Sequence, residues 1–551
     1  LDNVLGDVAQ LSERDPAKLP LWGIPFCVKD NIDIAGLETT AACPQFAYTA
    51  AEDAFAVARL RAAGGVLVGK TNLDQFATGL VGVRTPFPVP RNAIDPEIVP
   101  GGSSSGSAVA VAHGFLSFAL GTDTAGSGRV PAALNNIVGL KPSLGALSAR
   151  GVVPACRTLD TISVFALTVS DAYEVASIMG APDTSDPYSK NIPFRPRGPM
   201  PPRLRIGVPD RAHRSSMPDT IQREMFEGAV RKLQSLDAEI VEIEMSPLFE
   251  IAHLLYAGSW VAERHSVIAE LLSENPGAVH PTTKKVIEKA KQFSATDAFR
   301  HQYRLAELRL KLNPILSAID MLAVPSIPRF VRVAETKDDP LGPNTELGTY
   351  TNFANLLDMC GIAVPTAQRA DGRPGGITLL AGSGRDADVA TVAAWLHASA
   401  GVQAGATGWS VSSVNSEPAS SLGDDEMELA VVGAHMSGLP LNGEVTRLGG
   451  RFLRATKTAP NYRLYALSGG PPSRPGLVRA DQGQQIALET WAIPKANFGE
   501  FILGVPSPLG IGTLRLETGE TVKGFICETA GLDGAIDVTE YGGWRAYLAS
   551  Q

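Results

Sequence analysis

The chain reads as an α/β protein, a sheet with helices on both faces followed by a smaller β-rich unit. Three observations lead there. Residues 20–180 alternate short apolar runs with helical segments, and 200–245 repeat the theme. A stretch rich in Gly, Ser, Ala and acids, 401–426, then has little periodicity and reads as a linker. Beyond it come short strand-like runs separated by Gly and Pro turns. A chain of 551 residues exceeds one ordinary core. The expected division is 1–400, the linker 401–426, and 427–551.

The opening residues, LDNVLGDVAQLSERDP, lack the charged and apolar regions of a signal peptide. They read as the end of a helix followed by a linker. AEDAFAVARLRAAG (51–64) is an amphipathic helix, and VLVG (66–69) a buried strand. RLRIGVP is strand-like, PDTIQREMFEGAVRKLQSLDAE carries an apolar helical stripe, and IVEIEM alternates with period two. Residues 248–318 are mostly helical, broken by Pro276, Pro281 and Pro314. MLAVPSIP (321–328) is a strand ending in a loop. ELAVVGAHMSG, RLYALSG, QIALETWAI, TLRLETG and VKGFICET supply the strands of 427–551.

Hydrophobic residues at 44% and charged residues at 19% fit a globular protein with a large interior. A net charge of −9 without a basic stripe argues against a nucleic-acid surface. No apolar run reaches the ~18 residues of a membrane span. Cys27, Cys43, Cys156, Cys360 and Cys527 are odd in number, scattered and without a CxxC pair. Neither a disulfide framework nor a zinc site is expected, but reduced thiols in a cytoplasmic protein.

The most informative stretch is 101–131, GGSSSGSAVAVAHGFLSFALGTDTAGSGRVP. Two serine-bearing glycine turns bracket a small-residue apolar segment. Such turns cost conformational entropy on ordering, so backbone N–H groups and hydroxyls aimed at a ligand are the expected return. Far upstream, Lys29 ends the apolar run IPFCV in GIPFCVKDNIDIAG. A serine hydroxyl is a poor nucleophile until a base takes its proton. Lysine can be that base only when neutral, which requires burial or a cationic neighbour.

Together with GVLVGKTNLDQFATG, GLKPSLGALSARGVVP, LDTISVFALTV and NFANLLDMCGIAVPT, these motifs resemble the amidase signature family over about 20–400. The resemblance implies an α/β fold with a large mixed sheet flanked by helices. It also implies acyl-enzyme hydrolysis of a C–N bond by a Ser–cisSer–Lys triad. In this sequence the nucleophile would be Ser127, the bridging serine Ser103 and the base Lys29, with spacings of 24 and 74 residues. Thr124, Ala125, Gly126 and Ser127 would give the oxyanion hole its N–H donors.

Two literal motifs point elsewhere. Gly64-GVLV-Gly69-Lys70-Thr71 matches the P-loop pattern, but strand formers lie between its glycines where a phosphate cradle belongs. Gly102-Ser103-Ser104-Ser105-Gly106 matches the nucleophile elbow, but the residues before it, RNAIDPEIVPG, are polar and proline-interrupted. A Ser–His–Asp hydrolase centred on Ser104 is the runner-up among hydrolases. His113 reads as a helix-end histidine, whereas His435, in the glycine loop of VVGAHMSG, is a candidate pocket residue of the second unit.

Within the family, GGSSSGSAVAVA, GTDTAGSGRVPAALNNIVGLKPS and RTLDTISVFA are closest to the branch acting on allophanate, a carboxylated urea. That branch holds its substrate with a tyrosine and an arginine eight residues apart. Tyr256 and Arg264 match that spacing, which on one helix places both on one face. The resemblance implies release of ammonia and carbon dioxide without cofactor or metal, in a cytoplasmic homodimer with a urea carboxylase as functional partner. The second unit resembles γ-glutamyl-cyclotransferase-like domains, a module associated in that branch with decarboxylating the N-carboxycarbamate product. An amidohydrolase acting on another small carboxylated amide or a biuret-like substrate is the alternative. An inactive carboxylate-binding scaffold for the carboxylase is the alternative of a different class.

Overall fold

The computed structural model describes residues 2–411 and 421–551. A ten-stranded mixed sheet forms its centre. From edge to edge the strands are Val66–Thr71, Pro25–Lys29, Phe118–Asp123, Thr161–Ala166, Val138–Lys141, Met359–Gln368, Pro374–Gly382, Met321–Pro325, Arg205–Pro209 and Glu239–Ile243. Pairs near both edges are parallel and those in the middle antiparallel. The parallel pairs follow from their connections. Pro25–Lys29 reaches Val66–Thr71 through the helix Phe55–Ala62, and Arg205–Pro209 reaches Glu239–Ile243 through Thr220–Gln234. Helices on both faces bury the central strands completely, which explains their unbroken apolar runs.

The strand Val66–Thr71 fills the space between the two glycines of the P-loop-like motif, so no phosphate cradle exists there. Pro276 and Pro281 open short helices, where their missing N–H costs nothing. Pro314 behaves differently from expectation. The helix Ala295–Ser317 runs through it, because the proline falls in the last turn and little helix remains to be disrupted.

A five-stranded sheet of Arg451–Lys457, Ala487–Pro494, Glu426–Val431, Thr521–Cys527 and Leu509–Arg515 has its own apolar core around Trp491, Ile493, Leu429 and Trp544. It meets the larger unit through 195–203: Arg203 N donates to Ser437 Oγ at 3.3 Å, and Arg195 donates to the Gly449 carbonyl. Residues 401–411, part of the stretch read as a linker, are tied down. Gly405 N donates to Asn136 O and Ala406 N to Ala112 O, at 3.0 and 2.8 Å. Glycine-rich composition serves tight turns as well as linkers, and here Gly405 and Gly408 take positive φ. The rest of that stretch, 412–420, lies outside the described residues. All five cysteines are buried and free. Among the described residues no helix is long and apolar enough to cross a membrane.

Candidate active site

The first site is built at the ends of two adjacent parallel strands. Lys29 closes Pro25–Lys29, and Thr122 lies near the end of Phe118–Asp123. Its Nζ sits 2.7 Å from Ser103 Oγ and 2.7 Å from Thr122 Oγ1, with no exposure to solvent. Burial pushes the Lys29 ammonium down from 10.5 to about 7. Asp74, Asp160 and Asp123 oppose that shift, and the Arg264 cation adds to it. The lysine is therefore substantially neutral near pH 7 and able to accept a proton.

Ser103 enters through a cis peptide from Gly102. The neighbouring Ser104 is spent on architecture, not chemistry. Its hydroxyl donates to Thr122 O and accepts from Thr122 N, at 3.2 and 3.3 Å, pinning the serine loop to the strand. His113 ends the helix that follows, exposed and stacked on Phe115. A Ser–His–Asp arrangement on Ser104 is thereby excluded.

Ser127 lies on the turn 124–128, nearly buried at 2% exposure. The turn is fixed by an ion pair that sequence reasoning missed. Asp123 and Arg129, both fully buried, pair at 2.9 Å through two parallel hydrogen bonds. Burial alone would raise the Asp123 carboxyl, but the Arg129 charge and hydrogen bonds hold it below the usual range. Two opposite charges bracketing a run of small residues were the available signal.

The same carboxylate corrects one expected donor. Gly126 N donates to Asp123 Oδ1 at 3.0 Å and Gly128 N to Oδ2 at 3.0 Å. The Gly126 N–H thus faces the carboxylate and not an oxyanion. Among the described residues the N–H groups of Thr124, Ala125 and Ser127 make no hydrogen bond, so three of the four expected donors stay available. Gly126 contributes backbone shape instead, at φ +137° with Thr351 Oγ1 only 2.4 Å from where a Cβ would stand. Thr124 Oγ1 donates to Asp160, whose carboxyl is pushed up by burial against the pull of its hydrogen bonds. Among the described residues no hydrogen bond joins Ser127 to Ser103, whose hydroxyl is held by Lys29.

Tyr256 and Arg264 meet, though not as spacing suggested. The chain breaks at Gly258, so Tyr256 lies in the last turn of the helix Ser246–Ala257 and Arg264 in the next, Val261–Glu274. Tertiary packing restores the pair. Arg264 Nη2 donates to Tyr256 Oη at 3.2 Å, and the guanidinium lies over the tyrosine ring, 5.0 Å from its centre. Arg264 is 2% exposed, and its Nε has no partner among the described residues.

His435 lies elsewhere, in the smaller unit, beside a cavity of about 170 Å³ that Glu444, Arg474 and Phe525 also line. Its Nε2 is 3.0 Å from Glu444 Oε2 and its ring stacks on Phe525 at 5.0 Å. Burial lowers the imidazole pKa while Glu444 opposes the shift. Glu489 is a brace of this region: it accepts from Ser437 N and Oγ, both at 2.8 Å, and pairs with Arg545. Among the described residues no cluster of side chains suited to a metal ion occurs.

Comparison with known proteins adds independent findings. Residues 2–390 match the model of the Amidase family, and 427–549 match that of the allophanate hydrolase C-terminal domain. The chain is 43% identical to urea amidolyase of Saccharomyces cerevisiae over 99% of its own length and 31% of that protein. It is likewise 43% identical to urea amidolyase of Lachancea kluyveri, over 98% of the chain and 30% of the relative. The chain therefore spans about a third of these relatives. Among solved structures, Kluyveromyces lactis allophanate hydrolase superposes with a TM-score of 0.78 at 41% identity, over 100% of this chain and 92% of that one.

Proposed function

The chain belongs to the amidase family, and from that premise we propose that it hydrolyses allophanate. The observation that carries this reading is Lys29, buried, near neutrality and 2.7 Å from Ser103 Oγ. Lys29 takes the Ser103 proton as Ser103 takes that of Ser127, whose Oγ attacks the terminal amide carbon of the substrate. Ser103 both donates and accepts in this relay. The oxyanion is received by the N–H groups of Thr124, Ala125 and Ser127, donors commonly worth ~3 kcal/mol each. The proton returns to the departing nitrogen, ammonia leaves, and water hydrolyses the acyl-enzyme to N-carboxycarbamate. Arg264, held by Tyr256, clamps the substrate carboxylate through its planar fork.

In this proposal a urea carboxylase supplies the substrate, and carbon dioxide is lost at the His435 cavity. The likeness to a solved allophanate hydrolase along the whole chain supports a shared substrate. Dimeric assembly and a cytoplasmic location belong to the same proposal; Phe299, Tyr303 and Leu310, exposed along one helix, support an apolar face for a second copy. Sedimentation and cell fractionation test these two.

Ser127→Ala should abolish ammonia release with the fold intact, and substantial residual turnover would refute the nucleophile. Ser103→Ala and Lys29→Ala should each be nearly inactive and add little in combination, as residues acting as one unit do. His435→Ala should slow carbon dioxide formation without slowing the first ammonia; unchanged carbon dioxide kinetics would make the smaller unit a stabilising domain.

A further inference from the structure

The turn Gln75–Thr78, between the catalytic lysine and the substrate arginine, holds an unusual backbone. Phe76 and Ala77 are consecutive non-glycine residues at positive φ, 52° and 49°. Such a conformation costs free energy and persists only where the surroundings over-determine it. Here they do. Gln75 N donates to Arg84 O at 2.7 Å, and Phe76 N to Ala41 O at 2.9 Å. Asp74 accepts from Gly82 N and Arg84 N at 2.9 and 2.8 Å. The Arg84 guanidinium, 2% exposed, closes the loop by donating to Thr78 O at 3.0 Å and Pro340 O at 2.8 Å.

This strained turn is the seat of Arg264. Arg264 Nη1 donates to Ala77 O at 3.3 Å and to Thr78 Oγ1 at 3.1 Å, while the Thr78 hydroxyl itself donates to Phe76 O at 3.0 Å. With Nη1 on the turn and Nη2 on Tyr256, the guanidinium is oriented from two sides. Arg84 reaches only carbonyls with its side chain, so it orders the turn while its own charge stays beside that of Arg264.

We propose that Arg84 is a positioning residue for substrate specificity: it holds the Gln75–Thr78 turn in the shape that aims Arg264 at the substrate carboxylate. The inference rests on Arg264 being the clamp. A guanidinium suits position 84 because separate nitrogens, Nη1 and Nη2, each hold one carbonyl, which the single nitrogen of an ammonium does not reproduce.

The test is steady-state kinetics on allophanate and malonamate with Arg84→Gln, Arg84→Lys, Thr78→Val, Arg264→Lys and the double variant Arg84→Gln/Arg264→Lys. Arg84→Gln and Thr78→Val should each raise KM by about tenfold or more with kcat within about threefold, the signature of lost ground-state binding. Arg84→Lys should fall between. In the double variant KM should rise little beyond Arg264→Lys alone, since both substitutions disable one clamp. Should Arg84→Gln fail to fold, Arg84→Lys carries the test of position 84, and Thr78→Val, which removes the hydroxyl that bonds both Arg264 and Phe76 O, carries that of the turn. An unchanged KM in Arg84→Gln and Thr78→Val overturns the inference, as does additivity in the double variant or an equal collapse of kcat. If Arg264→Lys leaves KM unchanged, the clamp reading itself fails, an outcome separate from the failure of Arg84 alone.

Discussion

The near-neutral Lys29 makes the pH dependence of the first step a direct measure of the mechanism. Burial moves this amine from 10.5 to about 7, a displacement worth about 5 kcal/mol. In water an amine of the original pKa would be neutral in roughly three molecules per ten thousand at pH 7; here about half are. If neutral Lys29 is the base, kcat/KM should fall about tenfold for each pH unit below 7 and level off above 8. Malonamate is the suitable substrate, because its carboxylate keeps one charge across this range and it does not lose carbon dioxide in weak acid. Initial rates of ammonia release from pH 5.5 to 9.5, blank-corrected at each pH, give the profile. A profile flat between 6 and 8, or a limb centred near 10, would refute a desolvated lysine base.

The same burial carries a stability cost. Lys29→Met should be inactive yet more stable than the parent, by on the order of 2 kcal/mol after its lost hydrogen bonds are counted. Its pKa is lowered on folding, so the penalty is full below about 7 and fades as pH rises toward 10.5. The stability difference in denaturant titrations should shrink over that window; a parent more stable than the variant at pH 6 would contradict the argument. Arg129→Met leaves Asp123 buried without its partner and should cost about 3–5 kcal/mol in urea unfolding. Unfolding at the parent midpoint would mean the turn is held by other contacts. Gly126→Ala drives a Cβ into Thr351 at a backbone angle alanine resists, and should lower kcat about a hundredfold. Near-parental kcat would show that the turn tolerates displacement.

The sequence by itself determined the elements and the chemical alphabet. Alternating apolar runs marked the sheet, Pro and Gly marked most breaks, and the glycine–serine turns with Lys29 pointed to serine chemistry. These are local signals, set by periodicity and by which backbone angles a residue tolerates. Only the tertiary structure decided which groups face one another. Lys29 and Ser103 lie 74 residues apart and meet because the strand of Lys29 pairs in parallel with Phe118–Asp123, to which Ser104 pins the serine loop. No pattern in DTAGSGR told that the Asp123 carboxylate would claim the Gly126 N–H. Tyr256 and Arg264 kept their association through a helix break that spacing could not show, because the contact is made across two helices. The turn that seats Arg264 was silent for the same reason. Phe76 and Ala77 have no preference for positive φ, and only partners as distant as Arg84 and Ala41 hold them there. An N–H or a guanidinium takes the direction of its strongest partner, and long-range packing chooses that partner.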